Sequence, residues 1–427
     1  MSTIGTTGMP KTLQIDASSH CQLACPSCPT ADGSTQPTLG AGHLSLKDFT
    51  ALLDANPEIE DVELSNYGEM FLNPALPEIL RAAFERGVAL HADNGVNLNL
   101  LRPDALDALI RYRFRSLTVS IEGASSETYA QYRHKGDFDR VIANIRRINE
   151  EKRRHQTGFP LLTWQFILFG HNEHEIAAAR KMAAELGMGF RAKLSWDDGV
   201  SPIRNRELVQ IALGTRQITR ADYYAATGNA YLRTICYQLW RAPVLNWDGR
   251  LTGCCRNFWG DFGVNAFDAG LEAALASERF QHAKQMLMGR AEPRPDIPCS
   301  TCDLYKTMQS DGRWISREEI PQAAAAILLS VFVNPGASEA THADLFLHPG
   351  HKLNRIALAE PPPSIRFEIG KSFSALLSVP GPGDYTLCAL PKRMDPTFRK
   401  HYPPLDPVTK PVTIPPRPTA QELSIQF

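Results

Sequence analysis

At 427 residues the chain has room for two or three domains, each with a core of its own. An apolar content of 43%, a charged content of 21% and a formal net charge of -1 fit an ordinary globular protein and argue against a dedicated binder of nucleic acid or anionic membrane. The longest apolar run, residues 323–333, is too short to span a bilayer, and no secretory h-region precedes Cys21. Nine cysteines in such a chain point to a reducing, cytoplasmic setting and to metal ligation instead of disulfides.

Residues 12–16 read as a first strand that runs into Cys21, Cys25 and Cys28 at C-x3-C-x2-C spacing. Ser45 is placed to cap a helix over 46–55, where Leu46, Phe49, Leu52 and Leu53 recur at helical spacing. A second strand, 61–66, ends in Tyr67-Gly68-Glu69, and a helix follows over 76–86. A third, 89–92, ends in Asp93-Asn94-Gly95, and Pro103 opens the next helix, where its missing N–H does no harm. The fourth strand, 116–121, ends in Glu122-Gly123-Ala124. A long amphipathic helix then carries Phe138, Val141, Ile142, Ile145 and Ile148 on one stripe. A fifth strand at 161–169, a helix at 173–186 and a sixth strand at 190–194 complete six alternations. Such alternation with right-handed crossovers predicts an α/β fold, either a parallel barrel or a doubly wound sheet. Ligands gather at the C-terminal ends of the strands in both, and the unusual residues sit at those ends.

Three thiolates on one short loop can cap three irons of a [4Fe–4S] cube and leave the fourth without a protein ligand. A zinc knuckle or a redox dithiol is the rival reading. Structural zinc wants four ligands in a closed site, and within the loop only His20, adjacent to Cys21, could add one. Together with the strand-end motifs, the pattern resembles the radical S-adenosylmethionine (SAM) superfamily. That resemblance implies a partial (β/α)6 TIM-like barrel and SAM bound through its amino and carboxylate groups to the open iron. Tyr67-Gly68-Glu69 stands where the family has a Gly-Gly-Glu-like motif facing the SAM amino group. Asn94-Gly95 resembles the Asn-Gly after strand 3, and Ser120 the serine that meets the SAM ribose or carboxylate. Arg133, in Tyr129-x-x-Tyr132-Arg133, resembles the arginine facing the SAM carboxylate. Gln165 and Asn172 flank strand 5 and could bracket the nucleoside or the substrate. Two positions depart from the family: Ser27, where an aromatic is frequent, and Glu122, where an Asp is usual.

Residues 226–315 hold Cys236, Cys254, Cys255, Cys299 and Cys302. Trp247-Asp248-Gly249-Arg250 between apolar neighbours predicts a hairpin delivering Cys254 beside Cys236, and a helix over 270–287 leads round to Cys299-x2-Cys302. Four converging thiolates are compatible with a zinc ribbon or a closed [4Fe–4S] site. The spacing resembles the Twitch or shortened SPASM domain of radical SAM proteins, which implies one auxiliary [4Fe–4S] cluster on Cys236, Cys254, Cys299 and Cys302. Adjacent side chains point apart, so only one of Cys254 and Cys255 should ligate; spacing favours Cys254. Cys388 reads as a small buried hydrophobe.

Beyond residue 319 the chain turns Pro-rich. Segments 364–369, 374–379 and 385–390 read as short strands of an all-β module, with 380–384 as a turn. The expected domains are therefore 1–225, the partial barrel; 226–318, the auxiliary-cluster domain; and 319–427, a β module of unknown role. By resemblance to aminocyclitol dehydrogenases, the expectation is a radical SAM oxidoreductase acting on a small polar, sugar- or cyclitol-like substrate. Its cofactors would be SAM and two [4Fe–4S] clusters, with a flavodoxin or ferredoxin as electron donor. Lys193 and Asp197 are candidate bases near the sixth strand, and Arg191, always protonated, could only orient a substrate. Two alternatives stand beside it: a maturase modifying a ribosomally made peptide, and a non-catalytic metal-stabilised binding protein.

Overall fold

The computed structural model describes residues 9–197 and 199–320 in full and, further on, the backbone of seven strands. Seven strands build the first sheet: β1 (Thr12–Ile15), β2 (Asp61–Glu63), β3 (Ala89–Val96), β4 (Ser116–Ser120), β5 (Leu161–Ile167), β6 (Gly189–Lys193) and β7 (Val244–Leu245). Their order is β6-β5-β4-β3-β2-β1-β7. Pairs β1/β2, β2/β3, β3/β4, β5/β6 and β1/β7 run parallel. Six parallel strands in sequence order, each returned by a helical crossover, are what a partial TIM-like barrel requires.

The helices between them are α1 (Gln36–Leu39), α2 (Leu46–Ala55), α3 (Leu76–Glu85), α4 (Pro103–Arg111), α5 (Ser126–Tyr132), α6 (Phe138–Arg154) and α7 (Ile176–Glu185). Ser45 caps α2 by accepting the Asp48 N–H, and Pro103 occupies the first turn of α4. The single helix expected after β4 is two, α5 and α6. The chain turns between them at Lys135, in the left-handed region at φ 65, and at Gly136. The helix expected over 270–287 is likewise two, Leu271–Ala276 and Glu278–Leu287, broken at an extended Ser277.

Alternation along the strands sorts the two faces of the sheet. Leu13, Ile15, Val62, Leu64, Leu90, Ala92, Leu117, Val119, Trp164 and Phe166 are buried in the main core. Their neighbours Gln14, Asp16, Glu63, Ser65, His91, Thr118, Ser120 and Gln165 are buried and polar. A closed barrel fills its interior with branched aliphatic side chains; this sheet turns polar groups inward instead. Throughout, "lumen" denotes that inward face.

β3 is longer than expected. Asp93, Asn94 and Gly95 belong to the strand, across a register shift between Ala92 and Val96. Gly95 has φ +128, and a Cβ there would lie 2.6 Å from Ser120 Oγ. The residues expected to end the strand form a bulge within it.

By contact the chain divides into Met1–Glu150 with Leu162–Gln322, and Glu151–Leu161 with Ala323–Phe427. In the second unit, β8 (Ile327–Asn334), β9 (His342–Pro349), β10 (Ile365–Glu368), β11 (Phe373–Val379), β12 (Gly383–Lys392), β13 (Val408–Ile414) and β14 (Gln421–Gln426) form two sheets, β10-β9-β12-β13 and β11-β8-β14. The three segments expected as strands fall on β10, β11 and β12. The expected burial of Cys388 lies outside the described side chains.

Candidate active site

The loop after β1 is clamped to the end of β2. The Glu69 N–H donates to the His20 carbonyl at 2.7 Å. Gly68 permits the approach, because a Cβ there would fall 1.8 Å from the Ser18 carbonyl oxygen. This crossing sets Tyr67-Gly68-Glu69 beside Cys21. Cys25 packs with Leu23, Tyr132 and Phe169 in a small separate core, with Cys21 and Cys28 at its edge. Asn97 Nδ2 reaches Cys21 Sγ at 3.6 Å, and an Arg133 guanidinium nitrogen reaches Cys25 Sγ at 3.7 Å. Burial raises the Cys21 thiol to about 12, with Glu69, Cys25 and Cys28 adding to the effect. Cys25 is also raised by burial, against the opposing charge of Arg133. Burial works against the Arg133 charge too, but Glu122 and Cys25 keep it firmly protonated.

Glu69 is buried. Oε2 accepts the Asn97 N–H at 2.7 Å and Oε1 the Phe71 N–H at 3.4 Å. Burial lifts this carboxyl to about 7 in spite of those donors. Ser120, Gln165 and Arg191 form one chain across β4, β5 and β6. Gln165 Nε2 donates to Ser120 Oγ at 3.1 Å, and Arg191 donates to Gln165 Oε1 and to the Asp93 carbonyl, both at 3.0 Å. Asn94 donates to the Ser65 carbonyl at 3.0 Å.

Other expected site residues are engaged elsewhere. Asn172 accepts the Phe169 N–H and donates to the Glu122 and Ile167 carbonyls, which makes it the clasp of the turn after β5. Asp197 Oδ1 accepts the Gly199 and Val200 N–H groups and shapes the loop after β6. The Lys193 ammonium makes no hydrogen bond or ion pair with a described residue; burial lowers its pKa, as does Arg191.

Several further residues surround the site. Glu122 holds Arg133. Trp196 Nε1 donates to Ser27 Oγ at 3.0 Å, and Ser27 is bonded to Tyr132 Oη at 3.0 Å, so an indole half exposed to solvent stands over the three-cysteine loop. In the lumen, His91 Nε2 meets Asp61 Oδ1 at 2.6 Å and Nδ1 meets Glu63 and Asp93 at 3.0 and 2.9 Å. Burial opposes its charge, yet these carboxylates raise it to about 9. Strand alternation, with a polar residue at every second position, was the available signal for this group.

The second cysteine set forms a separate site. Cys236, Cys254, Cys299 and Cys302 line one cavity with Leu239, Phe262, Leu287 and Tyr305, and Cys255 is not among its walls. The hairpin forms as expected, bridged at Leu245 and Leu251, with Gly249 at φ +87. Cys255 is drawn toward β1 instead. Its N–H donates to Gln238 Oε1 at 2.9 Å, and Gln238 Nε2 donates to Gln14 Oε1 at 3.1 Å. Tyr67 Oη donates to the Arg256 carbonyl at 2.6 Å.

The spread of the sulfurs bears on what they fit. Thiolates about 2.3 Å from one zinc ion sit roughly 3.8 Å apart in a tetrahedron. Among the described residues only Glu63, His91 and Asp93 bring three ligand atoms within 4.8 Å of one another; neither cysteine set does. The first set offers three thiolates, the number that can cap three irons of a four-iron cube, and the second offers four.

Residues 16–183 match the radical SAM superfamily. Over that stretch the chain is similar to a radical SAM domain. Members of that superfamily use SAM and a [4Fe–4S] cluster and are enzymes. The chain is 29% identical over 187 residues to the AdoMet-dependent heme synthase of Methanosarcina barkeri (strain Fusaro / DSM 804), covering 43% of this chain and 50% of that protein. It thus spans half the length of that curated relative. Among solved structures it resembles Streptococcus suis SuiB bound to S-adenosylmethionine, with a TM-score of 0.51 and 16% identity over 70% of this chain and 72% of that one. BtrN in complex with AdoMet and 2-DOIA overlays with a TM-score of 0.39 and 15% identity, over 69% and 93% of the two chains. The SuiB likeness extends the shared fold beyond the radical SAM domain. No helix among the described residues is long and apolar enough to cross a membrane.

Proposed function

We propose that this chain is a radical SAM oxidoreductase that removes hydrogen from a small polar substrate in the lumen and oxidises it with the help of an auxiliary [4Fe–4S] cluster. The observation that carries the reading is the placing of two cysteine sets about one polar lumen. Cys21, Cys25 and Cys28 follow directly from β1, and the Cys254–Arg256 turn is tied back to the same sheet through Gln238–Gln14 and Tyr67. A cluster and SAM bound at the first site would supply radical chemistry on reduction by a flavodoxin- or ferredoxin-like donor. Cys21, Cys25 and Cys28 would hold that cluster, and Cys236, Cys254, Cys299 and Cys302 the auxiliary one.

The protein's part is positioning. Glu69 offers a carboxylate to the SAM ammonium, whose arrival favours the ionised form that burial disfavours. Arg133, kept charged by Glu122, neutralises thiolate at Cys25 and offers a donor to the SAM carboxylate. Ser120 and Gln165 line the nucleoside side, and Lys193, free of protein partners among the described residues, is available to the substrate. The inward polar face holds hydroxyl-rich molecules that an aliphatic interior would reject.

Anaerobic reconstitution followed by iron counting tests this directly. Two clusters require about eight irons per chain, and reduction in the presence of SAM must release 5′-deoxyadenosine. Zinc in place of iron, or a reduced protein that leaves SAM intact, rejects the proposal.

A further inference from the structure

Arg191 bonds to Gln165, its register partner, and so shares its lumen side; alternation along β6 puts Lys193 there too. Lys193 is paired in register with Ile167, which packs against the small core of Leu23, Cys25, Tyr132 and Phe169 at the three-cysteine loop. It also lies near Cys255, whose thiol feels its charge. The carboxylates of the lumen are engaged elsewhere. Asp61 holds Arg115 and His91, Glu63 accepts from Ser65 and Asp93 and meets His91, and Asp93 meets His91. Asp16 is held by the Gln14 and Asn66 side chains. Both Arg191 bonds leave from Nη2 and end on neutral acceptors, and the Lys193 ammonium has no acceptor among the described residues. Burial, and after it the like charge of Arg191, weighs against that ammonium. A partly buried cation without an acceptor is costly, and such groups persist where a ligand completes them.

We propose that Lys193 and Arg191 seat an anionic group of the substrate, so that the molecule taken into the lumen is an acid, either a carboxylate or a phosphate ester. This rests on the reading of the lumen as the substrate site and adds the substrate's charge to it. The Lys193 ammonium brings three donors and no acceptor, and the Nε and Nη1 groups of Arg191 make no bond to a described residue. Such a pair complements an oxyanion, which only accepts. A neutral hydroxyl can accept from Lys193 but leaves its charge unbalanced. An arriving anion favours the charged form that burial and Arg191 disfavour. Position adds to charge: Lys193 lies level with Ile167 and close to Cys255, so an anion seated on it holds the rest of the molecule near both cysteine sites.

The test uses the full chain, anaerobically reconstituted, with three sugars of one ring shape: neutral glucose, glucuronate and glucose 6-phosphate. Calorimetry should show at least one of the two anions binding about tenfold or more tightly than glucose, and the tighter one distinguishes carboxylate from phosphate. Lys193→Gln should cost that anion about ten- to a hundredfold in affinity, as for hydrogen bonds to a charged group, and leave any glucose binding unchanged. Lys193→Arg should restore part of the loss, and Lys193→Met replaces the Gln variant if that one fails to fold. Failure of the wild-type protein to bind either anion, equal binding of anion and glucose, or undiminished binding by the variants overturns the proposal. So does a variant whose main loss is in SAM affinity, which would put Lys193 on the cofactor. SAM cleavage by the wild-type protein, measured without any sugar, reports separately on the radical reading.

Discussion

The two cysteine sets differ in what surrounds them. Around Cys21, Cys25 and Cys28, polar groups reach in from distant parts of the chain: Asn97 to one sulfur, Arg133 to another, and Glu69 close behind. Around Cys236, Cys254, Cys299 and Cys302 the walls combine Leu239, Phe262, Leu287 and Tyr305 with Thr252, Arg256 and Asn257, and burial is the chief influence on the thiols, as it is at Cys21 and Cys25. What the first set has in addition is a buried carboxyl, Glu69, near a buried cation, Arg133. A site that takes in a zwitterionic ligand needs charges of both signs at its edge. The contrast agrees with the proposed binding of SAM at the first set.

The sharpest way to break that contrast is to delete one sulfur from each set. Cys25→Ala should reduce SAM cleavage to the level of a protein-free control, since the remaining two thiolates cannot hold the cube. Cys299→Ala should lower iron from about eight to about four per chain while some SAM cleavage persists without substrate oxidation. Iron analysis and 5′-deoxyadenosine release read both variants. Equal loss of cleavage in the two would mean that the sets form one functional unit.

A smaller effect is expected at Glu69. Replacing it with Gln keeps the shape and the acceptor for Asn97 but removes the charge. SAM affinity should fall about tenfold or more, measured by equilibrium dialysis, with the iron content unchanged. An unaltered affinity would move the SAM ammonium away from the end of β2.

How much of this was visible in the chain alone depended on how far each signal extended. The strand–helix alternations and the Asp248-Gly249 hairpin are written over a few neighbouring residues; the six strands and the hairpin formed where expected, while two of the helices came out as pairs. The third strand was expected to stop at residue 92, because Asp-Asn-Gly is a strand-end sequence locally. It continues through a bulge in which the Gly95 N–H donates to the distant Ser65 hydroxyl. Asn97 and Trp196 matter to the cysteine loop through contacts across 76 and 169 residues, which no window of sequence contains. Asp197 illustrates the reverse: a charged residue at a strand end looked catalytic, and its carboxylate is used by the backbone of its own loop.

The lumen and the cysteine sites should also differ in their response to pH. Burial, then Glu63, raises Asp16 from an ordinary 3.8 to about 8. The folded protein therefore keeps a proton that the unfolded chain releases near pH 4. Stability from this group is complete below that point and is lost as pH rises through about 8. Asp16→Asn cannot titrate, so its melting temperature relative to wild type should improve steadily between about pH 5 and pH 8. A difference that does not vary with pH would show that the carboxyl is ionised in the folded state.

The smallest expected effect tests the tie between the two regions. Tyr67 Oη donates to the Arg256 carbonyl at 2.6 Å, and its ring meets Phe258 edge-on with centroids 5.5 Å apart. Tyr67→Phe keeps the ring contact and deletes one neutral hydrogen bond, for a loss of about 1 kcal/mol in denaturant unfolding. Burial holds the phenol protonated well above its ordinary range, with Cys255 and Cys254 adding to the shift, so the loss should be the same at pH 6 and pH 9. Should the variant instead lose several kcal/mol, or lose iron, the hydroxyl would be holding the Cys254–Arg256 turn in place against the sheet, and the two cysteine sites would be mechanically coupled through a single phenol.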